Sequence, residues 1–294
     1  MNNRFRHFAA IDWSGAAGER HHGIALALCG AGEAAPQLIR PGHRWSRGEV
    51  LHWLQHDLPA DTLVGFDMSM SFAHADCGGY FPGWADSPAD ARALWALVET
   101  VCADEPHLGA TTFADHPDLA PHFRRHGGRE GAAFGDKGQS GGRGRFRQTE
   151  HAQARAGCRP YSNFNLVGAA QVGKGSLAGM RLLHRLSGTH AIWPFDPLPD
   201  EGSVLTEIYT TLAAIAAGRS AGRSKIRDWD ALDTALAALG SGPALRHGAL
   251  SDHAADALIT AAWLRTIAHD PAWWNPPGMT PQIAATEGWT FGAR

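Results

Sequence analysis

Phe8-Ala9-Ala10-Ile11-Asp12-Trp13-Ser14-Gly15 is an apolar run that ends in an aspartate and then a turn. A second run does the same, Leu63-Val64-Gly65-Phe66-Asp67. Each reads as a buried strand carrying a carboxylate at its end. Beyond the first turn lies another apolar run, Gly23-Ile24-Ala25-Leu26-Ala27-Leu28. Neighbouring strands of this kind deliver two carboxylates to one edge of a sheet. Carboxylates there are costly unless paired or bound to a metal, so the pattern points to a divalent-cation site. The plainer alternative is that each aspartate forms a turn or caps a helix.

Further acids lie downstream. Glu207 sits in Val204-Leu205-Thr206-Glu207-Ile208-Tyr209, and Asp252 and Asp256 lie in Ser251-Asp252-His253-Ala254-Ala255-Asp256-Ala257-Leu258. A spacing of four puts Asp252 and Asp256 on one helical face, where a cation would remove their repulsion. Asp252 also reads as a first-turn acid that favours the helix dipole. His253, between them, is a polar first-turn residue by one reading and a proton shuttle by another.

The pattern along the chain predicts strands at 7–13, 22–29, 36–40, 62–67, 190–195 and 203–208. Helices are expected from Arg47 to Asp57 with Ser46 as N-cap, from Ser87-Pro88 to Ala103, and from Ser176 to Leu186. Two more run from Asp228 to Leu239 and from Ser251 or Asp252 to Ile267. Residues 105–165 lose periodicity and are rich in Gly, His and Arg, which predicts an irregular insertion or flap. Residues 1–270 then form one domain, followed by an irregular tail at 271–294. The element order, with acids on the first strand, the fourth strand and the last helix, is that of an α/β ribonuclease H-like fold. Its mixed five-stranded sheet, flanked by helices, gathers carboxylates around Mg²⁺ or Mn²⁺. Such metals activate water and stabilise the leaving oxygen in phosphodiester cleavage.

The sequence resembles the DUF429 family of ribonuclease H-like proteins with undefined substrate. The resemblance rests on Ile11-Asp12-Trp13-Ser14-Gly15-Ala16, Val64-Gly65-Phe66-Asp67-Met68-Ser69-Met70-Ser71-Phe72 and Asn165-Leu166-Val167-Gly168-Ala169. It also rests on Gly173-Lys174-Gly175-Ser176-Leu177-Ala178-Gly179-Met180, Ala191-Ile192-Trp193-Pro194-Phe195-Asp196 and Glu207-Ile208-Tyr209. The last helix is similar to the Asp-Ala-Leu helix of Holliday-junction resolvases, whose paired acids are usually three apart. The resemblance implies the fold and, by superfamily analogy, a metal-dependent nuclease. Asp12, Asp67 and Asp256 would bind the metal, with Glu207 and Asp252 as supporting acids.

With 294 residues, 44% hydrophobic and 19% charged, the composition is that of a globular chain. No apolar run is long enough to span a bilayer, so no membrane partner is expected. The N-terminus lacks a signal-peptide core, and Cys29, Cys77, Cys102 and Cys158 lack CxxC spacing. A cytoplasmic protein with reduced thiols is the expectation. The net charge of −3 does not suggest a polyanion binder, yet residues 121–160 hold nine basic residues against three acids. Arg143, Arg145 and Arg147 in that segment, with Lys174, are candidate contacts to a nucleic-acid phosphate; a solvated loop is the alternative.

Gly173-Lys174-Gly175-Ser176 lacks the full phosphate-loop pattern. Ser14 and Ser69 sit in no nucleophile elbow. Trp273-Trp274 could stack bases or pack the tail. Two other functions remain open, an actin/sugar-kinase-like phosphotransferase and a non-catalytic binding protein that retains the fold. The oligomeric state is not legible.

Overall fold

The computed structural model describes residues 4–135, 143–168 and 172–294. Ala169 of the family-like motif, Asp136 and Lys137 of the 121–160 charge count, and Gly141 and Gly142 of the Gly-rich insertion lie outside these residues. The protein is α/β, with a mixed sheet of six strands flanked by helices. The strands are β1 (His7–Asp12), β2 (Ala25–Gly30), β3 (Gln37–Leu38), β4 (Thr62–Asp67), β5 (Ala191–Trp193) and β6 (Val204–Glu207). Their spatial order is β3-β2-β1-β4-β6-β5. β2 runs antiparallel to β1 and β3, while β1, β4, β6 and β5 are mutually parallel. The expected count of five strands is one short, because Ala191–Trp193 pairs beyond β6 as a further parallel edge.

Eight helices accompany the sheet among the described residues. They are α1 (Arg47–His52), α2 (Ala91–Val101), α3 (Gln148–Arg155), α4 (Val172–Leu186), α5 (Thr210–Ala216), α6 (Trp229–Ala238), α7 (Asp252–Ile267) and α8 (Pro281–Thr286). Local chemistry sets several of their starts. Ser46 and Glu49 form a reciprocal capping box at α1, Asp228 caps α6 and Ser251 caps α7. α1 continues as a π-helical turn to Asp57, which gives the predicted span to that residue.

Strand alternation divides the core. Ala9 and Ile11 of β1, with Val64 and Phe66 of β4, join one cluster beneath α2 and α4. Phe8 and Ala10, with Leu63, join the other beneath α7. α7 lies across β1 and β2 and is buried along most of its length. Its Ala255, Ala257, Ala261 and Ala262 present little bulk to the sheet. Gly65 allows the close approach, since a Cβ there would stand 2.7 Å from Ile208 Cγ2 and 3.0 Å from Leu264 Cδ1.

Two segments differ from expectation. The described part of the insertion is mostly short turns and two-residue strands with several exposed residues, yet it carries a packed core. Phe113, Phe123 and Phe164 are fully buried in a cluster with Phe72 and Phe81, and α3 follows. Apolar Phe residues spaced through the Gly/Arg-rich stretch supply a core that helix or strand periodicity does not reveal. The tail is likewise integral. Trp289 and Phe291 are buried, and the Glu287 carboxylate accepts from the backbone N–H groups of His74, Ala75 and Gln148 at 2.8, 2.8 and 2.7 Å.

Candidate active site

Asp12 and Asp67 are register partners on neighbouring parallel strands. Alternation sends both toward α7, because Phe8, Ala10 and Leu63 share that face. α7 brings Asp256, buried at 4% exposure, to the same place. The three carboxylates expected to converge are therefore electrostatic neighbours. Asp67 feels both others: burial, then the charges of Asp12 and Asp256, push its carboxyl up to about 8. Asp256 is pushed up to about 6 by burial, with Asp12 adding and Lys225 opposing. Burial also raises Asp12, against a hydrogen bond from His253.

Cationic groups partly offset this cluster. His253 Nδ1 lies 3.1 Å from Asp12 Oδ2, and this contact holds the imidazole above its ordinary proton affinity. Lys225 pairs with Asp256 Oδ2. Burial pulls the Lys225 ammonium down, but Asp256, then Asp12 and Asp67, carry it above its usual value. Asp67 accepts from Thr210 at the start of α5, at 3.2 Å from the hydroxyl and 3.4 Å from the N–H.

The cluster borders a cleft of about 390 Å³ at the C-terminal edge of the parallel strands. Asp67 and His253 line it, together with Ser14, Ser69, Trp13 and Tyr161. Tyr161 is 53% exposed, unusual for an aromatic side chain of this protein. The Ser14–Ala16 turn is pinned by Arg47, which donates to the carbonyls of Ser14 and Ala16. Gly15 lies against α4 so closely that a Cβ there would be 2.2 Å from Gly175 N.

The donor chemistry suits a hard divalent cation: several carboxylate oxygens, closely coupled and incompletely neutralised. Among the described residues, no three His, Cys, Asp or Glu side chains are gathered at metal-holding spacing. Asp256 is instead engaged by Lys225 and Asp12 by His253.

The remaining candidates are held by other partners. Glu207 follows Leu205 onto the opposite face of the sheet, a parity set by its register with Phe66. Both its oxygens are occupied, by Arg147, Met70 N and the Thr290 hydroxyl. It lines the same cleft as Asp67, but as a buried ion-pair partner whose two oxygens already accept, the arrangement of a supporting acid rather than of a metal ligand. Asp252 lies at the rim, where it pairs with Arg227 at 3.3 Å; burial would raise its carboxyl, but His253, Arg227 and Lys225 hold it below the usual range.

Two of the three insertion arginines are not available to a phosphate. Arg145 is buried against Asp76 and donates to the carbonyls of Ala73, Gly79 and Tyr80. Arg147 is fully buried between Glu150 and Glu207. Sequence charge counting does not distinguish these from exposed arginines. Arg143 is exposed, with its guanidinium 5.4 Å from the Phe146 ring centroid. Lys174, in the first turn of α4, lines a separate pocket with Arg47, Glu105 and His107.

Sequence reading missed Lys225 and Tyr161. Lys225 is one of only three lysines in the chain, the one signal that could have singled it out. No protein family, curated protein or solved structure matches this chain.

Proposed function

We propose that the protein is a ribonuclease H-like hydrolase that cleaves a phosphodiester of a nucleic acid or nucleotide with Mg²⁺ or Mn²⁺. The observation that carries this reading is the convergence of Asp12, Asp67 and Asp256 from two parallel strand ends and one helix, each with raised proton affinity. The strand order β3-β2-β1-β4, with β2 antiparallel, agrees with a ribonuclease H-like sheet. The described residues build one large sheet, whereas a sugar-kinase-like enzyme normally needs two domains.

Asp12, Asp67 and Asp256 would hold the metal, which when bound supplies Lewis acidity and a more acidic water. Asp67 is the least enclosed of the three by surface exposure and lines the cleft where substrate would enter. His253, oriented through Nδ1 by Asp12, exchanges a proton with water or a leaving oxygen through its other ring nitrogen. Tyr161 and Trp13 give the cleft apolar walls against which a base or sugar can lie.

The Asp12–His253 contact also favours a second reading, metal-independent hydrolysis with His253 as general base. The test is cleavage of single-stranded, duplex and branched oligonucleotides and of bis(4-nitrophenyl) phosphate. Wild type should act with Mn²⁺ and stop with EDTA, and Asp67→Asn should lose at least about 100-fold. Activity that survives EDTA would select the second reading. Absence of cleavage throughout would count against hydrolysis.

A further inference from the structure

The carboxylate cluster already contains a cation, and it belongs to the chain. Lys225 sits between α5 and α6, in the irregular stretch 217–228. Its ammonium pairs with Asp256 Oδ2 and interacts with Asp12 and Asp67 as well. Among the described residues, its charge is the one set against all three carboxylates. The Lys225 side chain is 53% exposed while that of Asp256 is 5% exposed, so the ammonium reaches inward from an open position. Two other basic groups each pair with one acid: His253 with Asp12 of the cluster and Arg227 with Asp252 beside it.

A carboxylate oxygen engaged by an ammonium is not free to a metal. Two cations in one small cluster also repel each other, more strongly where water is scarce. We propose that Lys225 is the resident counter-ion of this cluster and is displaced when a divalent cation binds. Metal occupancy is then set by competition with the chain itself, and the 217–228 segment acts as an internal antagonist of the site. A partner or substrate phosphate that drew Lys225 away would raise metal affinity, because the phosphate would take the ammonium while Asp256 became free. The inference rests on the divalent-cation reading above.

The experiment titrates Mn²⁺ into wild type, Lys225→Gln and Lys225→Arg, following binding by calorimetry and the thermal midpoint with and without metal. Lys225→Gln should bind Mn²⁺ at least about tenfold more tightly, the factor that corresponds to about 1.4 kcal/mol. Its metal-free midpoint should fall, and Mn²⁺ should restore it. Lys225→Arg keeps the charge and should stay near wild type. Lys225 is half-exposed and lies outside the helices and strands, so the Gln variant is expected to fold. Equal or weaker Mn²⁺ binding by Lys225→Gln, beside measurable binding by wild type, overturns the competition and leaves the metal site standing. No Mn²⁺ binding by any of the three proteins overturns both.

Discussion

Asp12 and Asp67 stand opposite each other at the ends of two adjacent parallel strands, and both side chains face α7. Burial first, and then the repulsion between neighbouring carboxylates, raises the proton affinities of the cluster in the metal-free protein. Asp67 reaches about 8 and Asp256 about 6. Both carboxyls bind protons more tightly folded than unfolded. Their favourable contribution is complete below the unfolded value near 4, and it is lost as pH rises through about 6 and then about 8.

The first expectation follows from that sign. The metal-free melting temperature should fall between pH 5 and pH 8.5. Asp67→Asn should flatten the fall and raise the midpoint at pH 8.5 by a few degrees, at about 2–4 °C per kcal/mol for a large domain. A wild-type midpoint that is flat over this range, with no gain in the variant, would show that the carboxylates are not coupled.

The Arg147 network gives a stability prediction free of metal. Arg147→Ala leaves Glu150 and Glu207 buried without their cation. Urea unfolding should register a loss of about 3–5 kcal/mol. A loss below about 1 kcal/mol would mean that this segment is a solvated loop.

Gly65 controls how closely α7 lies on the sheet. Gly65→Ala puts a methyl group against Ile208 and Leu264 and should cost about 1–3 kcal/mol. Because the shift moves Asp256 relative to Asp67, Mn²⁺ binding should weaken with it. Unchanged stability and binding would show that α7 has room to spare.

Truncation after Thr280 should abolish the cooperative melt. It removes the Glu287 carboxylate from three backbone N–H groups and Trp289 and Phe291 from the core. A truncated chain that melts cooperatively within a few degrees of wild type, about 1–2 kcal/mol, would make the tail a dispensable appendage.

What the sequence made legible is local or periodic. The apolar runs ending in Asp12 and Asp67 mark strands, and Ser46, Asp228 and Ser251 mark helix starts, because caps and alternation act over a few residues. Asp256 was legible as an acid deep in an Ala-rich helix. The face on which Glu207 emerges depends on its register with β4, which no single segment encodes. Arg145 and Arg147 counted as surface charge until their partners, Asp76, Glu150 and Glu207, were placed around them. Lys225 lies 31 residues from Asp256 in an irregular stretch, so only the tertiary fold reveals their pairing.

The most direct test of the central claim is calorimetric titration of Mn²⁺ into the wild-type protein at pH 7, in two buffers of different ionisation enthalpy. A carboxylate site with raised proton affinity predicts Mn²⁺ binding accompanied by net proton release, and loss of both in Asp67→Asn. Absence of binding at millimolar Mn²⁺, or binding that Asp67→Asn leaves unchanged, would contradict the assignment of Asp12, Asp67 and Asp256 as a metal-dependent hydrolytic site.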